Sequence, residues 1–140
     1  MRRRFALVML VTAFASASAQ EHTHPAATEK LGTVHFATSC NPAVSEDFDR
    51  AVAFLHSFEF ASAIKGFQSV LANDSTCAMA HWGIAMSRWS NPMAAGNRSP
   101  QQLQQGRSEV EAARNVALHA TDRERGYVNA VATLYDNYEK

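Results

Sequence analysis

The chain lacks the common signatures of catalysis. It has no G-x-S-x-G, no H-E-x-x-H and no glycine loop of the kind that cradles phosphate. It has no C-x-x-C-H run, which excludes the usual covalent attachment of haem, and no C-x2-C pair. Cysteine is scarce: only Cys40 and Cys77 occur in 140 residues. Beyond the first twenty residues no stretch stays apolar long enough to cross a bilayer. An excess of basic charge is also missing. Thirteen Lys and Arg face thirteen Asp and Glu, and three of the basic residues are Arg2, Arg3 and Arg4. Without residues 1–19 the balance is ten against thirteen, a net charge of −3 with histidine neutral. That argues against a nucleic-acid partner, which wants a basic stripe. Glu109 and Glu111 fall on different sides of a helix and read as a solvated face. The expectation is a protein that is not an enzyme and carries no cofactor.

What is present begins with an export signal. Met1-Arg2-Arg3-Arg4 is a basic n-region, Phe5 to Phe14 is a short apolar run, and Ala17-Ser18-Ala19 offers the small residues a signal peptidase reads. Residues 1–19 are therefore expected to be removed, leaving Gln20 as the N-terminus of a periplasmic or secreted chain without a membrane span. The other reading, an N-terminal anchor, requires a longer apolar run. Residues 20–33 are polar and read as a flexible leader. Residues 34–140 are expected to form one all-α domain of about five helices, a length that buries a modest core.

Val34 to Asn41 reads as an ordered lead-in. Pro42 suits a first helical position, and Glu46 and Asp47 suit the positive end of a helix. Phe48, Ala51, Val52, Leu55 and Phe58 recur at three and four, as one helix face requires. Phe60, Ala63, Ile64, Phe67, Val70 and Leu71 form the next stripe. A third helix is expected from near Thr76, with Ala78, Trp82, Ala85, Met86 and Trp89 on one face. Ser90 to Ser99 holds asparagine, glycine and proline and reads as a loop. Ser99-Pro100-Gln101-Gln102 restarts a helix, with Gln102 reaching back to its start, and that helix runs to about Ala120. Thr121-Asp122-Arg123-Glu124 is a second capping box, opening a fifth helix that carries Tyr127, Val131, Leu134, Tyr135 and Tyr138.

These stripes echo one another. Phe48/Trp82, Ala51/Ala85, Val52/Met86 and Leu55/Trp89 each stand 34 residues apart. That is the period of one tetratricopeptide unit, a pair of antiparallel helices that buries its apolar face only by stacking on its neighbours. Ala63 and Phe67 match the A-x3-F part of that repeat, although Ser75 stands where most units carry proline. An ordinary all-α domain with a coincidental period is the competing reading. Tyr135 and Tyr138 leave apolar surface in want of a partner near the end of the chain.

Several runs carry a resemblance. They are Leu31-Gly32-Thr33-Val34-His35-Phe36-Ala37-Thr38-Ser39-Cys40, then Phe48-Asp49-Arg50, then Leu55-His56-Ser57-Phe58, then Cys77-Ala78-Met79-Ala80-His81-Trp82-Gly83-Ile84-Ala85-Met86-Ser87. Together they resemble the N-terminal part of exported bacterial tetratricopeptide-repeat proteins. The resemblance implies a fold and a mode of action, with the first helix of each pair lining a concave groove for a protein or peptide. Carried over residue by residue, the groove positions are Ser45, Phe48, Val52, Leu55 and His56, then Met79, Trp82, Met86, Trp89 and Ser90. Of these, Phe48, Val52, Leu55, Met79, Trp82, Met86 and Trp89 are the candidate partner contacts, since aromatics and methionine anchor such surfaces. The same stripe would serve equally as core against the lead-in or a neighbouring helix.

Two cysteines in an exported chain read first as a disulfide. Cys40 precedes the first helix and Cys77 starts the third, and in stacked repeats those ends lie side by side. A bridge there closes a loop of about 36 residues, for which the chain-entropy model gives roughly 3–4 kcal/mol. The alternative is a soft-metal (zinc or copper) site built from His35, Cys40, Cys77 and His81, since Cys77 and His81 share a helix face. Free thiols are the third reading.

Overall fold

The computed structural model describes residues 31–94 and 98–136. The expected signal segment 1–19, most of the leader 20–33, and Tyr138 lie outside the described residues. Residues 31–41 carry neither helix nor strand, and Pro42–Val44 is a single 3-10 turn. Five helices follow: α1 Ser45–His56, α2 Phe60–Asn73, α3 Ala78–Trp89, α4 Pro100–Val116 and α5 Asp122–Asp136. No strand occurs among the described residues, so the fold is all-α, as expected.

The helix ends follow from local chemistry. The Asn41 side chain accepts the Ala43 N–H at 2.9 Å, and Pro42 follows it. The chain leaves α1 through Phe58, whose φ of 62° puts it in the left-handed region, while the Glu59 N–H closes on the Phe54 carbonyl. That closure is a Schellman-type stop, a place where glycine is usual. Asp74 replaces the missing proline after α2: its Oδ1 accepts the Thr76 N–H and hydroxyl, folding the chain back into an Asx turn. Ser99 caps α4 by accepting the Gln102 N–H at 3.1 Å. The Gln102 side chain does not reach back as expected; it donates to the Arg88 carbonyl on α3. Helix α4 also ends at Val116 rather than Ala120, because Ala117–His119 tightens into a 3-10 turn. At α5 the capping box is complete: Glu124 accepts from the Thr121 N–H and hydroxyl, and the Glu124 N–H reaches Thr121 Oγ1.

Each helix packs on the next in the chain, and α1 also meets α3, as α3 meets α5. Helices α1, α3 and α5 therefore lie side by side, with α2 and α4 behind them. Phe48, Val52, Phe67, Val70, Met79, Ile84, Val128, Val131 and Tyr135 are fully buried between the two rows. Phe67 meets Phe48 edge-on at 5.4 Å. Its ring lies over Gly83, where an added Cβ would stand within 2.6 Å of three ring carbons. Tyr135 uses the same device at Gly106, and its buried hydroxyl donates to the Ala85 carbonyl at 2.7 Å. Tyr135 thus finds inside α3 and α4 the partner that the sequence left open.

Candidate functional site

The row formed by α1, α3 and α5 is where a groove was expected, and the lead-in 31–41 runs across it. The order of the chain makes this possible. Residues 39–41 come next to the starts of α3 and α5, so the preceding segment crosses all three helices of the row. Phe36 is the plug. Its ring stacks on Trp82 at 5.9 Å and tilts against Phe48 at 5.9 Å and Tyr127 at 5.5 Å, one aromatic from each helix. The Arg123 guanidinium lies over the same ring at 5.2 Å. Leu31, Val34 and Cys40 also pack against the core, and His35 points to solvent.

The main chain of the lead-in is held by carboxylates. The Phe36 N–H donates to Asp49 on α1 at 2.9 Å, the Ser39 N–H to Glu124 on α5 at 2.7 Å, and the Asn41 N–H to Asp74 at 2.8 Å. Arg123 in turn donates to the Ala37 carbonyl. Charge-assisted bonds of this kind are about twice as strong as neutral ones. Burial pushes the Glu124 carboxyl up, but the donors from Ser39 and Thr121 outweigh it and hold the group below the usual carboxylate range. Asp74 is lowered as well, chiefly by the Asn41 N–H and further by Thr76, against a smaller effect of burial.

Among the expected groove residues, the lead-in covers Phe48 and Trp82 through Phe36. Phe48, Val52 and Met79 are wholly inaccessible and Trp82 is 7% exposed; Leu55, Met86 and Trp89 are half-buried. Phe36 and Tyr127 cover Trp82, while Trp89 meets Tyr135 edge-on at 5.2 Å and carries the Arg98 guanidinium at 4.1 Å. Ser45 and His56 are exposed and Ser90 is half-buried with a φ of 67°. The structure therefore gathers these positions along α1 and α3 and closes four of the ten, Phe48, Val52, Met79 and Trp82, to solvent.

Cys40 and Cys77 are bridged by a disulfide, with Cα atoms 4.8 Å apart. The histidines of the metal alternative do not join them. His81 is bound to Glu109 of α4 at 2.7 Å, so Glu109 belongs to an α3–α4 contact rather than a solvated face, and His35 sits 3.5 Å from Asp49. The group that does converge with the two sulfurs is the Asp74 carboxylate. Sequence reading missed Phe36, Asp49, Asp74 and Glu124 as a set. The signal was there in part: Val34 and Phe36 alternate as an extended segment with one buried face requires. No family model, curated protein or solved structure matches this chain.

Proposed function

We propose that the protein is an exported, non-catalytic scaffold of the tetratricopeptide type, whose α1–α3–α5 row grips an extended polypeptide segment. The observation that carries this reading is the lead-in itself. It is an extended stretch of chain held on that row by two amide-to-carboxylate bonds, to Asp49 and Glu124, and one aromatic plug, with a third such bond to Asp74 in the turn after α2. Main-chain donors on a ligand are sequence-tolerant handles, and a single side-chain pocket adds selectivity. The partner is a protein or peptide that presents an extended segment with an aromatic residue and displaces residues 31–39. The 34-residue echo and the alternating contacts of α1, α3 and α5 support the repeat assignment. Arg2 to Arg4, the apolar run 5–14 and Ala17-Ser18-Ala19 support export. The disulfide suits an oxidising compartment, and no described helix is long and apolar enough to span a membrane.

The test uses a labelled synthetic peptide copying residues 31–39, titrated in fluorescence anisotropy against the Phe36→Ala protein. Emptying the aromatic site should allow saturable binding that the wild type shows far more weakly. A further Trp82→Ala change should abolish it. Absence of binding to a Phe36→Ala protein with native helicity would reject the groove reading.

A further inference from the structure

The joint between the lead-in, the turn after α2 and the start of α3 brings three ligand-type groups together. The sulfurs of Cys40 and Cys77 and a carboxylate oxygen of Asp74 all lie within 4.8 Å of one another. It is the one set of three or more such groups found among the described residues. The carboxylate is already aimed and fixed: one oxygen takes the Asn41 N–H, the other takes the Thr76 N–H and hydroxyl. Each carboxylate oxygen can accept more than one contact, so a position remains for a cation. Donors of this outer kind are what orient a ligand and tune its basicity.

We propose that, when the bridge is opened, Cys40, Cys77 and Asp74 bind one soft divalent cation of the Zn2+ type, which then clasps the lead-in to α3 in place of the disulfide. A dithiol reductant passes two electrons and two protons to the bridge, giving two thiols and its own cyclic disulfide. Binding of the cation then releases the two thiol protons to water. Two thiolates and a carboxylate suit zinc, with water in the fourth tetrahedral position. The Cα separation of 4.8 Å lets both sulfurs reach one ion. Two thiolates, a carboxylate and a divalent ion sum to one negative charge. That charge stands at Cys77, the residue that opens α3, and so meets the positive end of the helix. Asp74 thus has two jobs, closing α2 with an Asx turn and completing a ligand set. This inference stands apart from the peptide reading, because neither the groove nor a partner enters it.

Cobalt(II) is the probe. Protein reduced by a phosphine under nitrogen should take up one equivalent, with a thiolate-to-cobalt charge-transfer band in the near ultraviolet, while oxidised protein should show none. Asp74→Asn keeps both thiols and should weaken cobalt binding by about tenfold or more, the scale on which even outer partners act. His35→Ala and His81→Ala should leave the affinity unchanged. Circular dichroism of each reduced protein establishes that the helices are intact. The proposal is overturned if reduced wild type gives no stoichiometric band, if Asp74→Asn binds as tightly as wild type, or if either histidine variant weakens binding.

Discussion

Gly83→Ala sets two effects of opposite sign against each other. Gly83 is inside α3, where alanine is favoured over glycine by about 1 kcal/mol through helix propensity alone. The new Cβ, however, would stand within 2.6 Å of three carbons of the Phe67 ring. Phe67 has no route of escape. It is wholly buried, comes from the neighbouring helix α2, and is backed by Phe48 at 5.4 Å. Relief requires α2 and α3 to separate, and overpacking of a tight core costs about 1–3 kcal/mol or more. The clash more than offsets the propensity gain, and because Phe67 cannot move aside the net loss falls toward the upper end of the difference, about 2 kcal/mol. Gly126 supplies the internal control. It lies in α5, exposed, and a methyl group added there would meet nothing within 4 Å. Gly126→Ala should therefore be stabilising by up to about 1 kcal/mol. Urea unfolding followed by circular dichroism reads both, with an unchanged slope showing that the native state is intact. Combining Gly83→Ala with Phe67→Leu should recover part of the loss, since the two sites share one contact. A Gly83→Ala protein as stable as Gly126→Ala would refute the close-packing argument for α2 and α3.

Two further outcomes are expected. Replacing both cysteines by serine removes a crosslink between residues 37 apart in sequence, which the chain-entropy model values at about 4 kcal/mol. Thermal melts should fall by roughly 15–30 °C on the usual scaling for a domain of this size, and a loss under about 1 kcal/mol would show that the bridge constrains little in the unfolded chain. Acidification should loosen the lead-in. Glu124 and Asp74 are held below their ordinary values of 4.5 and 3.8, so the folded state binds fewer protons than the unfolded one. Their contribution is fully present above those values and is lost as the pH falls through and below them. Hydrogen exchange at the Ser39 and Asn41 amides checks this, and Glu124→Gln should flatten the pH dependence at Ser39.

How much of this was legible depended on how local the determinant was. The Ser99-Pro100 start and the Thr121–Glu124 box are short-range chemistry, and the sequence shows both directly. The pairing of Cys40 with Cys77 was legible at one remove, because it needed the first and third helices to begin side by side. The fate of Phe48, Trp82 and Trp89 was not legible. An aromatic stripe at helical spacing reads the same whether the surface above it is open or covered; over Phe48 and Trp82 the cover is Phe36, outside any helix, and over Trp89 it is Tyr135 and Arg98. Glu124 shows the limit most clearly. One of its oxygens completes a local cap three residues away, while the other holds Ser39, 85 residues away in the sequence. Asp74 is similar, since its turn with Thr76 is local and its bond to Asn41 is not.

The bridged Cys40 lies two residues before Pro42, so the segment carrying Phe36 is a permanent neighbour of the row it covers. An intramolecular occupant on so short a lead competes at an effective concentration on the order of millimolar. On the proposed function, an incoming chain would meet a seat that is already taken, and its measured affinity would be its intrinsic affinity scaled by the small fraction of molecules in which the seat is vacant. Under that proposal, sensitivity to a partner would be set less by how much of it is nearby than by whatever changes the hold on Phe36, Ser39 and Asn41.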